Sequence, residues 1–406
     1  MIKDIFMPTD ILLPDGVDLE KWSVIACDQF SSERDYWERV REKTGGGPST
    51  LNMIIPEVYL GDFDEGSGAG SICAAMDACF ELGLFREVQD SFIYVQRTLQ
   101  GGQVRHGLVG AVDLERYDFS GGEAAILASE GTIQDRLPVR IGVRRAASLE
   151  LPHIMAFIND KEAGVIEPLG ENADSLPLLY DFDLMEGGGR IRGMRVHGKK
   201  ADGVTSALRA LGEKSRTLIV IGDGNHSLAA AKVFWDEIKQ GMSEALRENH
   251  PARLALLEVN NIYDPAIEIE AIHRVFFGDG CDDFIKSLEK SLSSTEPGYE
   301  FTWVSGGESG VFSVSADCIG GALAGVQKFI DDHAGRAGCR VDYIHGAETV
   351  KRLARGVNCA GLIMPAIVKS ELFATVTAGE VFPKKSFSVG RAADKRYYLE
   401  CRGIRG

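Results

Sequence analysis

The chain of 406 residues holds eight cysteines but no Cys-x-x-Cys pair, which excludes both a zinc ribbon and a dithiol redox motif. Cys27, Cys73, Cys79, Cys281, Cys318, Cys339, Cys359 and Cys401 lie scattered and read as reduced thiols. No His-x-x-x-His spacing offers a zinc site among the eight histidines. No run approaches the roughly 18–20 consecutive apolar residues that span a bilayer, and the first residues lack the length of a signal-peptide core. The expectation is a cytoplasmic protein with no membrane partner. Basic charge is also scarce: 44 Lys and Arg stand against 60 Asp and Glu, a net charge of −16. Nucleic-acid binding needs a basic surface to replace the counterions around phosphate, so a small-molecule substrate is expected instead of a nucleic acid. No repeat or low-complexity tract is present, and oligomeric state stays open.

This length exceeds one small core, and the pattern predicts two lobes. A core lobe over 1–300 would carry a glycine-rich turn, with a C-terminal α/β lobe over 301–406 packed tightly on it. The fold class expected is mixed α/β. An α+β N-terminal lobe with hairpins precedes a last third where helix and strand alternate as in a partly parallel βαβ segment. Residues 22–28 read as a buried strand, followed by a helix that stops at Gly45. Residues 91–99 and 104–114 flank Gly101-Gly102 with alternating apolar and polar positions, a hairpin signature. Residues 124–145 read as mostly non-helical, 272–276 as an edge, and 395–399 as a final strand.

The densest chemical signal is 216–232, where the apolar run Leu218 to Ile221 enters Gly222-Asp223-Gly224-Asn225-His226-Ser227 and continues into an alanine-rich helix. The first amides of a helix lack intrahelical acceptors and carry the positive end of its dipole. With Gly222 and Gly224 letting the backbone come close, this turn can hold phosphate or carboxylate, Asn225 and Ser227 included. Asp223 and His226 add proton or metal chemistry, and Asp223 with Asp28 or Glu130 would suit an oxygen-ligated magnesium ion. Four arginines fall in the short span that holds Glu130: Arg136, Arg140, Arg144 and Arg145. Such a cluster reads either as a solvated edge or as a guanidinium clamp for phosphate, with Glu130, Arg136 and Arg140 as candidates. His273, Arg274 and His345 sit at strand ends where clefts form. Each histidine can equally be a hydrogen-bonded structural residue. Lys384 and Lys385 lie between apolar anchors and read as a solvated turn or as a loop that neutralises phosphate charge.

Several stretches together resemble one family. Residues 22–37 (WSVIACDQFSSERDYW), 130–140 (EGTIQDRLPVR), 151–155 (LPHIM), 222–227 (GDGNHS), 272–276 (IHRVF), 341–346 (VDYIHG) and 383–398 (PKKSFSVGRAADKRYY) look like the domain-of-unknown-function family DUF-1015 over nearly the full length. The 222–227 turn is also similar to turns of the ParB/sulfiredoxin superfamily, including the ParB-like free-serine kinases. It departs from them in carrying Asn225 where His is common and Ser227 where Arg is. That second resemblance implies nucleotide binding and phosphoryl transfer to serine. The sequence reading is therefore a small-molecule phosphotransferase or phosphohydrolase, with serine or phosphoserine as substrate and a nucleotide and Mg2+ as cofactors. A non-catalytic protein that binds a nucleotide or carboxylate is the rival.

Overall fold

The computed structural model describes residues 4–62, 65–132 and 137–405. Arg136, one of the four clustered arginines, lies outside them. The described residues form an eleven-stranded and a six-stranded sheet with helices against both, a mixed α/β architecture. Along the larger sheet the order is Tyr117–Asp118, Ile126–Ala128, Ile219–Asp223, Met155–Ile158, Leu254–Asn261, Val104–Asp113, Phe85–Thr98, Gly189–Val196 and Leu178–Leu184. Phe6–Met7 and Thr9–Pro14 add to its two longest strands. The Gly101-Gly102 hairpin forms as its alternation predicts, with Val95 opposite Gly107.

Parallel strand pairs occur in this sheet, where Ile126–Ala128 lies between Tyr117–Asp118 and Ile219–Asp223 and Met155–Ile158 runs beside Leu254–Asn261. The strand-helix-strand alternation of the last third forms a βαβ unit whose two parallel strands are not neighbours. Arg340–His345, the helix Ala347–Leu353 and Cys359–Ile363 form a split unit: both strands run antiparallel to Ile269–Phe277, which is inserted between them. Ile269–Phe277 is thus an interior strand of its sheet, where 272–276 reads as an edge in the sequence.

Two further stretches differ from their sequence reading. Residues 22–28 are no sheet strand: Leu19–Trp22 is a helical turn capped by the Asp18 carboxylate, and the extended chain after it meets the tail in one bridge, Ile25 to Tyr397. Likewise 395–399 makes that bridge and no ladder. The arginine-rich span contains a helix, Leu137–Ala146. Pro138 sits in its first turn, where a missing N–H costs nothing, and Leu137 and Ile141 share the buried face one turn apart.

One apolar cluster joins the sheets. Leu127, Met155, Phe157 and Val220 of the larger sheet pack with Phe276, Phe301 and Phe382, while Leu228, Ala231 and Trp235 of the helix Asn225–Ile238 cover the opposite face. No helix among the described residues is long and apolar enough to cross a membrane.

Candidate functional site

Strand Ile219–Asp223 ends in two glycines that the geometry requires. A Cβ on Gly222 would enter the Phe157 ring, and Gly224 has φ +80° with Ile154 Cα 3.0 Å from where its Cβ would stand. Only glycine takes that turn without strain. The chain then becomes the helix Asn225–Ile238, whose N-cap Gly224 offers no side chain to the first amides.

In the parallel register Ala128 lies opposite Ile221, and Ser129 donates its N–H to the Ile221 carbonyl at 3.2 Å. Two residues on, Glu130 therefore comes level with Asp223 at the carboxyl ends of adjacent parallel strands, the place where open α/β sheets form clefts. A cleft of about 380 Å³ opens there. Its wall includes Asp28, Glu57, Glu130, Arg140, His153, residues 222–227, Tyr343, Lys384, Lys385 and Lys395.

The cleft holds both charge signs in defined pairs. Lys395 Nζ lies 3.2 Å from Asp223 Oδ2, and the Gly224 amide donates to Asp223 Oδ1 at 3.1 Å. Arg140 donates to Glu57 Oε1 at 2.9 Å. The guanidinium, opposed by burial but favoured by Cys27, Glu57 and Asp28, is held above its ordinary pKa. His153 connects two walls, with Nε2 3.9 Å from Asp28 and Nδ1 2.9 Å from the Tyr398 hydroxyl. Burial works against the Asp28 carboxylate, yet His153, the Gln29 amide, Lys395 and Arg140 hold it below the usual carboxylate range. Cys27 next to it is a thiol pushed up to about 12 by burial and the Asp28 charge, hence no nucleophile at neutral pH.

Glu130 behaves oppositely. Burial raises its pKa to about 7 against the backbone amides of Ser386, Lys385 and Phe387, with the Asp223 charge adding to the rise. The Ser386 amide donates to Oε1 at 3.2 Å. A carboxyl that titrates near neutrality in a cleft is suited to give and take protons. Asn225, 8 % exposed, presents a buried Oδ1 with no hydrogen-bond partner among the described residues. Rotating the amide would present its NH2 donors at the same point.

The other sequence candidates divide. Lys384 and Lys385 line the cleft from the 383–388 loop, and Lys385 Nζ stands 4.9 Å over the Tyr343 ring. Arg274 lies behind them, fully buried, donating to the carbonyls of Ile272 at 2.6 Å and Lys385 at 3.0 Å and stacking on Tyr343 at 4.5 Å. Burial lowers its pKa to about 10. It positions the lysine loop and does not line the cleft. His273 is buried and accepts the Met364 amide on Nδ1 at 3.1 Å. Burial, Arg274 and His345 lower its pKa to about 4, so it stays neutral. His345 is exposed, 3.9 Å from Glu270, and is not part of the cleft wall. Of the remaining arginines, Arg144 pairs with Glu150 at 2.7 Å and Arg145 with Glu237 at 2.6 Å.

Among the described residues no group of three His, Cys, Asp or Glu side chains is placed to hold a metal. Asp28 stands 3.9 Å from His153 Nε2 and Asp223 3.2 Å from Lys395 Nζ.

Glu57, His153, Tyr343 and Lys395 line the cleft, and Tyr398 bonds His153 behind it, without having been singled out by sequence. His153 and Lys395 lie inside the 151–155 and 383–398 motifs, and that co-occurrence with the 222–227 turn is the signal that could have found them.

Among solved structures the chain is similar to a free serine kinase in complex with AMP, at 12% identity and a TM-score of 0.39 over 73% of this chain and 90% of that one. It is also similar to SbnI with a C-terminal truncation from Staphylococcus aureus, at 12% identity and a TM-score of 0.36 over 70% and 82%. A conserved hypothetical protein from Pyrococcus furiosus follows at 13% identity and a TM-score of 0.35 over 73% and 94%. Likenesses of this depth assign no activity. No curated protein matches the chain. The sequence profile described as "Protein of unknown function (DUF1015)" matches residues 13–332, more than half of the length, and the chain belongs to that family.

Proposed function

We propose that the protein is a small-molecule phosphotransferase or phosphohydrolase that works in the cleft at the start of the helix Asn225–Ile238. The observation that carries this reading is convergence: a glycine turn, the unpartnered Asn225 Oδ1, three lysines and a carboxyl raised to about 7 share one wall. Phosphoryl transfer asks mainly for positioning and charge neutralisation. In this reading the amides at the helix start and the Asn225 side chain hold phosphate oxygens, while Lys384 and Lys385 offset the charge that spreads over them. Glu130 takes the proton of the attacking hydroxyl as its oxygen bonds to phosphorus and the bond to the leaving oxygen breaks; with water as nucleophile the same parts make a phosphatase. Asp223 fixes the turn and Lys395, and His226 flanks the helix start on the cleft side.

The resemblance of the 222–227 turn to those of free-serine kinases makes serine and phosphoserine the first substrates to assay. A nucleotide is the donor class, with Mg2+ arriving on its phosphates. The test is turnover of a panel of amino acids with nucleotide and of phosphoamino acids with water, in wild type and Glu130→Gln. Turnover that Glu130→Gln lowers by roughly a hundredfold, the usual worth of general acid–base help, bears the reading out. No turnover across the panel removes it. The rival reading, a nucleotide- or carboxylate-binding protein without chemistry, is favoured by Arg140 and Lys395 each being engaged by a carboxylate. Calorimetric binding without turnover selects it.

A further inference from the structure

A second chamber, about 170 Å³, adjoins the polar cleft. Glu57, Arg140, His153 and Ser227 line both, so the two spaces meet at the Arg140–Glu57 pair. Beyond that junction the wall turns apolar, with Met53, Ile72, Met76, Val143, Ala230 and Leu256. The charges on it cancel one another, since Arg144 pairs with Glu150 and Arg140 with Glu57. Cys27 adds an uncharged thiol. An apolar cavity of about 150 Å³ takes up benzene, so this chamber has the capacity for one ring-sized apolar group. A polar cleft continuous with an apolar chamber is the layout of a site that orients its ligand by a few polar groups and binds the remainder by burial.

Resting on the phosphoryl reading of the cleft, we infer that the ligand is a phosphomonoester, or the alcohol that becomes one, whose other end is a ring-sized aromatic or branched apolar group seated in the chamber. The apolar group is either the side chain of the phosphorylated alcohol or the base of a nucleotide. Serine itself would leave the chamber empty. The shared chemistry is phosphate joined to an apolar ring, and the anionic end alone belongs to the helix start.

Titration calorimetry with phenyl phosphate and methyl phosphate tests this, because the two carry the same anionic group and differ in the apolar one. Phenyl phosphate is expected to bind at least about tenfold more tightly, the low end of what one additional apolar group gains in a matched pocket. Val143→Phe on the chamber wall and Leu60→Trp at its half-open rim are expected to abolish that preference and leave methyl phosphate binding unchanged. Two sites are used because Val143→Phe can overpack the helix, and thermal melts show which variants stay folded. Displacement of phenyl phosphate by adenosine monophosphate at least about tenfold more effectively than by ribose 5-phosphate, which carries the same anionic group without the base, assigns the chamber to a nucleobase; equal displacement by the two assigns it to the alcohol. Equal affinity for the two esters overturns the inference and leaves the cleft reading intact. No binding of either ester, nor of inorganic phosphate, overturns both.

Discussion

Glu130 is the residue on which proton transfer turns, and its raised pKa fixes how the protein responds to pH. Its folded value of about 7 lies above the ordinary 4.5, so between those values the folded state binds more protons than the unfolded chain. Stability from this group is complete below 4.5 and is lost as pH rises through 7. Glu130→Gln removes the titrating charge. Its melting temperature at pH 8 should exceed that of wild type by a few degrees, and the two should converge at pH 5, as calorimetric scans would show. Where turnover exists, the limb of kcat/KM that rises through about pH 7 should vanish in the same variant. At Asp223 the geometry argues for a positioning role, because Oδ1 accepts the Gly224 amide and Oδ2 lies 3.2 Å from the Lys395 ammonium. Asp223→Asn keeps the size and weakens the hold on Lys395, so KM for an anionic ligand should rise while the Glu130 limb of the pH profile stays in place. Glycines, Asp223 and Asn225 were legible in sequence because turn chemistry is local. The raised Glu130 was not, since its cause is burial against a loop some 250 residues away in sequence.

At the scale of elements, the turn before the helix Asn225–Ile238 carries a backbone requirement that can be measured. Gly224 sits at φ +80° with Ile154 Cα 3.0 Å from a would-be Cβ, so Gly224→Ala meets both conformational strain and backbone contact. A loss of about 1–3 kcal/mol is expected in denaturant unfolding, together with weaker phosphate binding as the first amides shift. The helix Leu137–Ala146 replaces the non-helical reading of the arginine-rich span: helical spacing puts Arg140 and Arg144 one turn apart, each facing a carboxylate from a different segment. Those carboxylates, Glu57 and Glu150, cannot be matched to arginines from sequence alone. The lysine loop has a similar hidden support. Arg274 bonds the Lys385 carbonyl and stacks on Tyr343, over which Lys385 also stands. Arg274→Met should leave the loop unmoored and raise KM roughly tenfold, with kcat changing less, since misplacement of a binding group acts first on positioning. A steady-state comparison with Lys384→Ala separates loss of loop order from loss of one charge.

For the molecule as a whole, cooperativity is the testable property, because the tail that leaves the smaller sheet at Phe387–Val389 re-enters the core of the larger one. Lys395 goes to the cleft, while Arg396 goes inward and is bonded to both Glu258 and Glu400 with all three fully buried. Glu258 is opposed by burial but held below the usual carboxylate range by Arg396 and Arg105. Its contribution is therefore present above the unfolded value and lost as pH falls. Removing Arg396 strands two carboxylates in the interior, which costs about 3–5 kcal/mol where a buried pair is broken from one side. Arg396→Met should accordingly unfold at much lower denaturant at pH 8 than wild type, with the gap narrowing toward pH 5 as Glu258 takes up a proton. The double variant with Glu258→Gln should recover part of the loss. Because Leu127, Phe157 and Val220 share a core with Phe276 and Phe301, both sheets should melt in one transition in wild type and in the variants. Tryptophan fluorescence divides the probes suitably, with Trp22 and Trp235 packed in the clusters of the larger sheet and Trp303 on a strand of the smaller. Single-tryptophan versions that retain Trp22 or Trp303 alone should give coincident unfolding curves, and two separated midpoints would show that the tail does not couple the sheets.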